Sequence, residues 1–226
     1  SNVTYQEATN FSPDLVWIKN RNTTNFHAII NSVVGENYIQ YSNSTLAGET
    51  NSNILSSLDS NGFTVGSEAT SNGSGNDLVA WCFNAGTDAA ASNTDGSITS
   101  TVKANTDAGF SIVEYNGDGG NATLGTGLSQ QVEMVITKST GTTSQWMIYH
   151  KDLTGNTSGD NPYNLYFGTD AELDLTAFGG YNDFTSSVFP VTRQSVSTAH
   201  NNNNNVDYIA YCFHSVDGIQ KVGSYT

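Results

Sequence analysis

Two short stretches, AWCF at 80–83 and AYCF at 210–213, hold both cysteines of the chain and end the longer blocks DLVAWCF (77–83) and DYIAYCF (207–213). Around them the chain repeats itself. LVWIK (15–19) resembles MVITK (134–138), each preceded by an acid, Asp14 or Glu133. A polar turn follows, NRNTTN or STGTTS, and leads into FHAIIN (26–31) or WMIYHK (146–151). YIQYSNST (38–45) then parallels NLYFGTDA (164–171), and FTVGSEAT (63–70) parallels VFPVTRQS (188–195). The loops NGSGN (72–76) and HNNNNN (200–205) deliver the chain into the two cysteine blocks. Ordered matches with gaps confined to loops define an internal duplication, and a repeated unit constrains the fold more than any single motif.

The repeated segments are short, rich in Val, Ile, Tyr, Phe and Trp, and separated by Gly, Asn and Ser clusters, which is the pattern of strands and turns. The reading is all-β, with two similar antiparallel β-sandwich units in tandem. A helix of one or two turns at most is expected in SNILSSLDS (52–60), where Ile54, Leu55 and Leu58 have helical spacing. VTY (3–5) matches VEY (113–115) and SY (224–225), so the first unit reads as 1–108, including a linker-like stretch at 84–108. The second reads as 109–226, with a terminal strand at 220–226 that looks like the start of a third unit. That strand is expected either to mark excision from a longer array or to complete the sheet of the second unit, and the start without Met to mark a mature or excised segment.

Equivalent positions in successive domains lie in separate cores, whereas a disulfide needs Cα atoms within about 7 Å. Cys82 and Cys212 are therefore expected as small apolar side chains on buried strands rather than as partners. Neither has a second Cys or His at zinc-ligand spacing in both copies. His27, His150, His200 and His214 recur at no matching place. NGDGGN (116–121) offers calcium a single carboxylate, Asp118, and Asp160 stands as alone in its loop, so neither makes a metal site. The chain carries no phosphate loop, nucleophile elbow, zincin or dinucleotide motif. The expectation is a protein that is not an enzyme and takes no cofactor and no metal.

A formal net charge of −14, with only 7 Lys plus Arg, repels a phosphate backbone and excludes nucleic acid as a partner. No apolar run is long enough to span a bilayer, so no membrane insertion is expected. Tyr38, Tyr41, Trp146, Tyr163, Tyr166 and Tyr181 remain as candidate contacts for glycan or protein.

Taken in order, PDLVWIKNR (13–21), VAWCFNAG, the block SNTDGSITSTVKANTDAGFSIVEYNGDG (92–119) and YIAYCFHSVDGIQKVGSY resemble a tandem repeat of large, mostly uncharacterised marine bacteriophage proteins. The resemblance covers essentially the whole chain. It implies a jelly-roll or concanavalin-like, lectin-like sandwich in a virion structural or tail-fibre protein, displayed on the virion surface or otherwise outside the cell. Particle structure and host attachment are the expected roles, and recognition of host surface glycans is the alternative. The implied partners are further copies of the chain, other virion proteins or a host glycan. No catalytic residue set comes with the resemblance.

Overall fold

The computed structural model describes residues 2–4, 11–153, 164–167, 178, 183–193 and 201–225. The described residues are almost entirely strands and loops, and the chain divides into two compact units, Ser1–Ala85 and Gly86–Thr226.

Unit 1 contains β1 (Asn2–Thr4), β2 (Leu15–Asn20), β3 (Ala28–Asn31), β4 (Gly35–Tyr41), β5 (Glu49–Thr50), β6 (Leu55–Asp59), β7 (Gly62–Val65), the single turn α1 (Ala69–Asn72) and β8 (Leu78–Phe83). Two antiparallel sheets form, one ordered β1-β7-β6 and one ordered β5-β4-β3-β2-β8. They enclose one core: Val16, Ile18, Ala28, Ile30 and Ile39 from the larger sheet meet Leu55, Phe63 and Val65 from the smaller. Face-to-face sheets of this kind are the unit of a β-sandwich.

Unit 2 contains β9 (Ala91–Asn93), β10 (Ser100–Asn105), β11 (Phe110–Asn116), β12 (Asn121–Gly125), β13 (Met134–Ser139), β14 (Met147–His150), β15 (Leu165–Tyr166), β16 (Val188–Thr192) and β17 (Asp207–Phe213). Its main sheet runs β15-β14-β13-β17-β11-β10-β9, and β12 pairs with β16 in a second. Val113, Tyr115, Val135, Tyr149, Tyr208 and Cys212 of the first sheet pack on Ala122, Leu124, Phe189 and Val191 of the second.

The order β3-β2-β8 in unit 1 recurs as β14-β13-β17 in unit 2, in the same register: Leu15 faces Phe83 as Met134 faces Phe213. Three expectations change. The first unit does not run to residue 108, because β9 and β10 ladder onto β11; a boundary at 108/109 would cut the β10–β11 hairpin. Residues 52–60 give strand β6 rather than a helical turn. A bulge between Leu55 and Ser57 resets the strand phase, so Leu55 and Leu58, three apart, both pack on the core. Finally, β1 is not the counterpart of β11. It pairs with β7 as β12 pairs with β16.

In unit 1 nothing among the described residues therefore occupies the place that β11 holds beside β17. Nor do the described residues of 220–226 form a strand. Residues 216–220 close a turn through a single bridge, Val216 to Gln220, and the described residues beyond it join no sheet.

Candidate functional site

The charged residues that both units share are the natural place to look for chemistry, and each of them stitches the fold. Asp14 is 3% exposed and stands just before β2. Its Oδ1 accepts from Ser32 Oγ at 2.7 Å, and its Oδ2 accepts from the buried N–H of Ala85 at 2.8 Å. Glu133 does the same before β13. Its Oε2 accepts from Ser215 N–H at 2.7 Å and from the Ser215 hydroxyl, while Oε1 takes the Lys151 ammonium at 2.6 Å. In each unit the acid thus ties the entrance of one central strand to the residue two past the end of its neighbour. Burial alone would raise the Glu133 carboxyl, but the hydrogen bonds from Lys151 and Ser215 outweigh it and hold the group below the usual carboxylate range. A cavity of about 420 Å³ lies beside this clamp, lined by Gln130, Gln131, Lys151 and His214 among others.

The second shared charge is the lysine at the end of the same strand. Lys19 Nζ donates to the carbonyls of Thr23 at 2.8 Å and Asn25 at 3.3 Å, holding the turn that follows β2. Lys138, fully buried, donates to the carbonyl of Ser144 at 2.8 Å, at the equivalent place in the turn after β13. Burial lowers the Lys138 ammonium to about 8.

Asp77 and Asp207, the acids that open β8 and β17, are the third shared pair. The carbonyl of Asp77 accepts from Arg21 N–H at 2.8 Å, and that of Asp207 accepts from Thr140 N–H at 2.9 Å. Asp207 also takes the Asn116 amide at 2.7 Å; burial, with the Asp207 charge added to it, raises the neighbouring Glu114 carboxyl.

The glycine- and asparagine-rich loops of unit 2 bind each other. Asp118 Oδ1 accepts from Asn202 Nδ2 at 2.8 Å and from Gly120 N–H at 2.9 Å, and Asn202 Oδ1 accepts from Asp118 N–H at 3.0 Å. Gly117 permits the approach: a Cβ there would lie 2.3 Å from the carbonyl oxygen of Asn203. Below these loops Tyr115 and Tyr208 stack at 5.1 Å, with Tyr115 Oη donating to Asn201 O at 2.6 Å and Tyr208 Oη accepting from Asn203 N–H at 3.0 Å. The oxygens that suggested a cation loop in the sequence are thus spent on closing one end of the sandwich. Among the described residues no group of three or more His, Cys, Asp or Glu could hold a metal, and Asp160 lies outside them.

Neither cysteine is in a disulfide; Cys212 is buried in the unit 2 core and Cys82 half-buried against the unit 1 core. Burial pushes the Cys212 thiol up to about 12, which suppresses the thiolate that chemistry would need.

The candidate contact residues scatter. Trp146 is not a surface contact: it is 2% exposed, tilted against Phe167 and stacked on Tyr211. Tyr38 and Tyr166 are half-buried, and Tyr163 and Tyr181 lie outside the described residues. Tyr41 is half-buried, packs at 4.9 Å against the 44% exposed ring of Phe26, and donates to Glu49 Oε1 at 2.6 Å. Sequence reasoning missed Phe26, Leu78 and Trp81, which with Leu46 are the exposed large apolar residues among the described residues of unit 1.

Among the described residues no helix is long and apolar enough to cross a membrane. No curated protein and no solved structure matches the chain. The model of a domain family of unknown function, DUF7483, matches residues 2–226, and the chain belongs to that family.

Proposed function

We propose that the chain is a non-enzymatic module of a bacteriophage particle surface, a tail-fibre, adhesin or capsid-decoration segment that acts in particle structure and host attachment. The observation that carries this reading is the apolar surface of β8. Leu78 and Trp81 are 37% and 47% exposed, with Trp17 at 5.5 Å from the Trp81 ring, while the matching strand β17 is buried from Tyr208 to Phe213. Exposed aromatic and aliphatic groups on a strand suit contact with another macromolecule. The charges common to both units are meanwhile engaged in clamps and turns. The resemblance of the sequence blocks to marine phage repeats supplies the particle, and the acidic balance keeps nucleic acid from the list of partners.

Host-glycan binding is a second reading, favoured by the Phe26 and Tyr41 rings beside the exposed Glu49 carboxylate, an arrangement able to stack on a sugar and accept from its hydroxyls. An antibody raised against the chain and applied to purified particles from the source tests the first reading. Labelling of intact particles is the expected result, and label found only in lysate from which particles have been removed would refute it. A glycan array scored for the protein and for Phe26→Ala separates the second: hits lost in the variant support it, and an array without hits removes it.

A further inference from the structure

β17 and β8 hold the same place in their units, yet β17 has a strand on each side and β8 ends its sheet among the described residues. The second neighbour of β17 is β11, antiparallel, with Tyr115 opposite Tyr208 and Ile112 opposite Tyr211. An open apolar edge is a template for one more strand.

A strand of the right kind follows β17. The turn at Val216–Gln220 is closed by Gly218 at φ +79°, as Gly109 at φ +68° closes the turn into β11. Beyond it Val222-Gly223-Ser224-Tyr225 resembles Ile112-Val113-Glu114-Tyr115, with the tyrosines aligned. In this structure the segment joins no sheet, and Ile219 and Tyr225 are 62% and 99% exposed.

We propose that Lys221–Tyr225 of one copy adds as an antiparallel strand to β8 of a second copy, in the place that β11 takes on β17. Carrying over the β11–β17 register sets Tyr225 opposite Leu78, Ser224 opposite Val79, Gly223 opposite Ala80 and Val222 opposite Trp81. The two exposed apolar residues of the edge each gain an apolar partner. Docking gives up the shelter of Val222 and its N–H bond to Ser215 Oγ, whereas Gln220 can keep its bonds to the carbonyls of Gly109 and His214 at 2.7 and 2.8 Å. Because donor and acceptor are different surfaces, the contact is heterologous and links copies head to tail. This names a partner for the surface module and rests on that reading of β8. The two fail separately, since particle labelling and self-association are different measurements.

Light scattering on a size-exclusion column, over a concentration series, tests the proposal with the chain of residues 1–226. The mass is expected to rise from one copy to several, and a peptide of residues 219–226 in excess should return it to one. Truncation after Gln220 removes the donor, and Leu78→Lys charges the acceptor at an exposed position; each variant alone stays monomeric. Mixed in equal amounts they form a dimer, since one supplies the strand and the other the edge. A full chain that stays monomeric throughout, or multimers that survive the truncation, overturns the proposal. Capture of a peptide of residues 109–117 by a chain that never self-associates would assign the edge to a strand from elsewhere, and overturns it as well.

Discussion

The blocks DLVAWCF and DYIAYCF are nearly the same sequence in the same strand position, and their surroundings differ completely. In unit 2 every residue of β17 after Asp207 is buried, because β13 and β11 flank it. In unit 1 β8 is flanked by β2 alone among the described residues, and all six of its positions are exposed or half-buried. A strand's sequence thus selects its face and its register, while its burial is set by which neighbours the chain provides. The same apolar residue is core in one unit and surface in the other.

The largest expected effect of that difference is at the first apolar position of each strand. Tyr208→Ala removes a fully buried ring that stacks on Tyr115 and accepts the Asn203 amide, at a cost of about 3–5 kcal/mol. Leu78→Ala, at the matching place but 37% exposed, costs about 1 kcal/mol or less. Urea denaturation of the two variants measures both, and equal costs would mean that β8 is covered as fully as β17.

The strands that the sequence placed correctly are those with two independent marks. LVWIK and MVITK carry an acid in front and a lysine at the end, and AWCF and AYCF an acid three residues ahead; all keep one register in the structure. Where only alternation marked a strand, the match slipped. Phe26 was aligned with Trp146, but the ladders set Ala28 level with Met147, and so His27 with Trp146. Period two cannot detect a shift when both faces are apolar, as in AIIN and MIYH. The bulge that turns 55–59 into a strand leaves a helical spacing in the sequence, and the slip at Trp146 hid its place in the interior. The acids ahead of the paired strands were visible as a repeated feature. What they bind was not, because Ala85 and Ser215 lie some 70 and 80 residues away along the chain.

The clamps set the next comparison, at intermediate size. Asp14 is the more buried acid, and Asp14→Ala leaves the Ala85 N–H without its acceptor inside the unit, costing about 2–3 kcal/mol. Glu133 is 23% exposed, so water can replace part of what Glu133→Ala removes, and the cost falls to about 1–2 kcal/mol. Thermal unfolding of the pair checks the order. A reversal would show that the Lys151 ion pair, rather than the strand-end amide, is what the acid stabilises.

The smallest effect is the pH dependence that the buried turn lysine of unit 2 gives to stability. The folded-state ammonium of Lys138 is lowered to about 8 from an ordinary 10.5, so the folded chain binds fewer protons than the unfolded chain between those values. Stability therefore rises with pH through that window, because the penalty for burying a charged amine is present below about 8 and fades above it. Cys212 acts in the opposite sense once the unfolded thiol ionises, above its ordinary 9.0, since burial keeps the folded thiol neutral up to about 12. The clean interval is pH 8 to 9, where the lysine contributes a gain of about 1 kcal/mol. Urea denaturation at the two pH values, repeated on Lys138→Met, isolates the amine: the gain is expected in the parent and lost in the variant. A gain that survives Lys138→Met would place its origin in another group, and the deeper burial of the unit 2 turn would then have no electrostatic consequence.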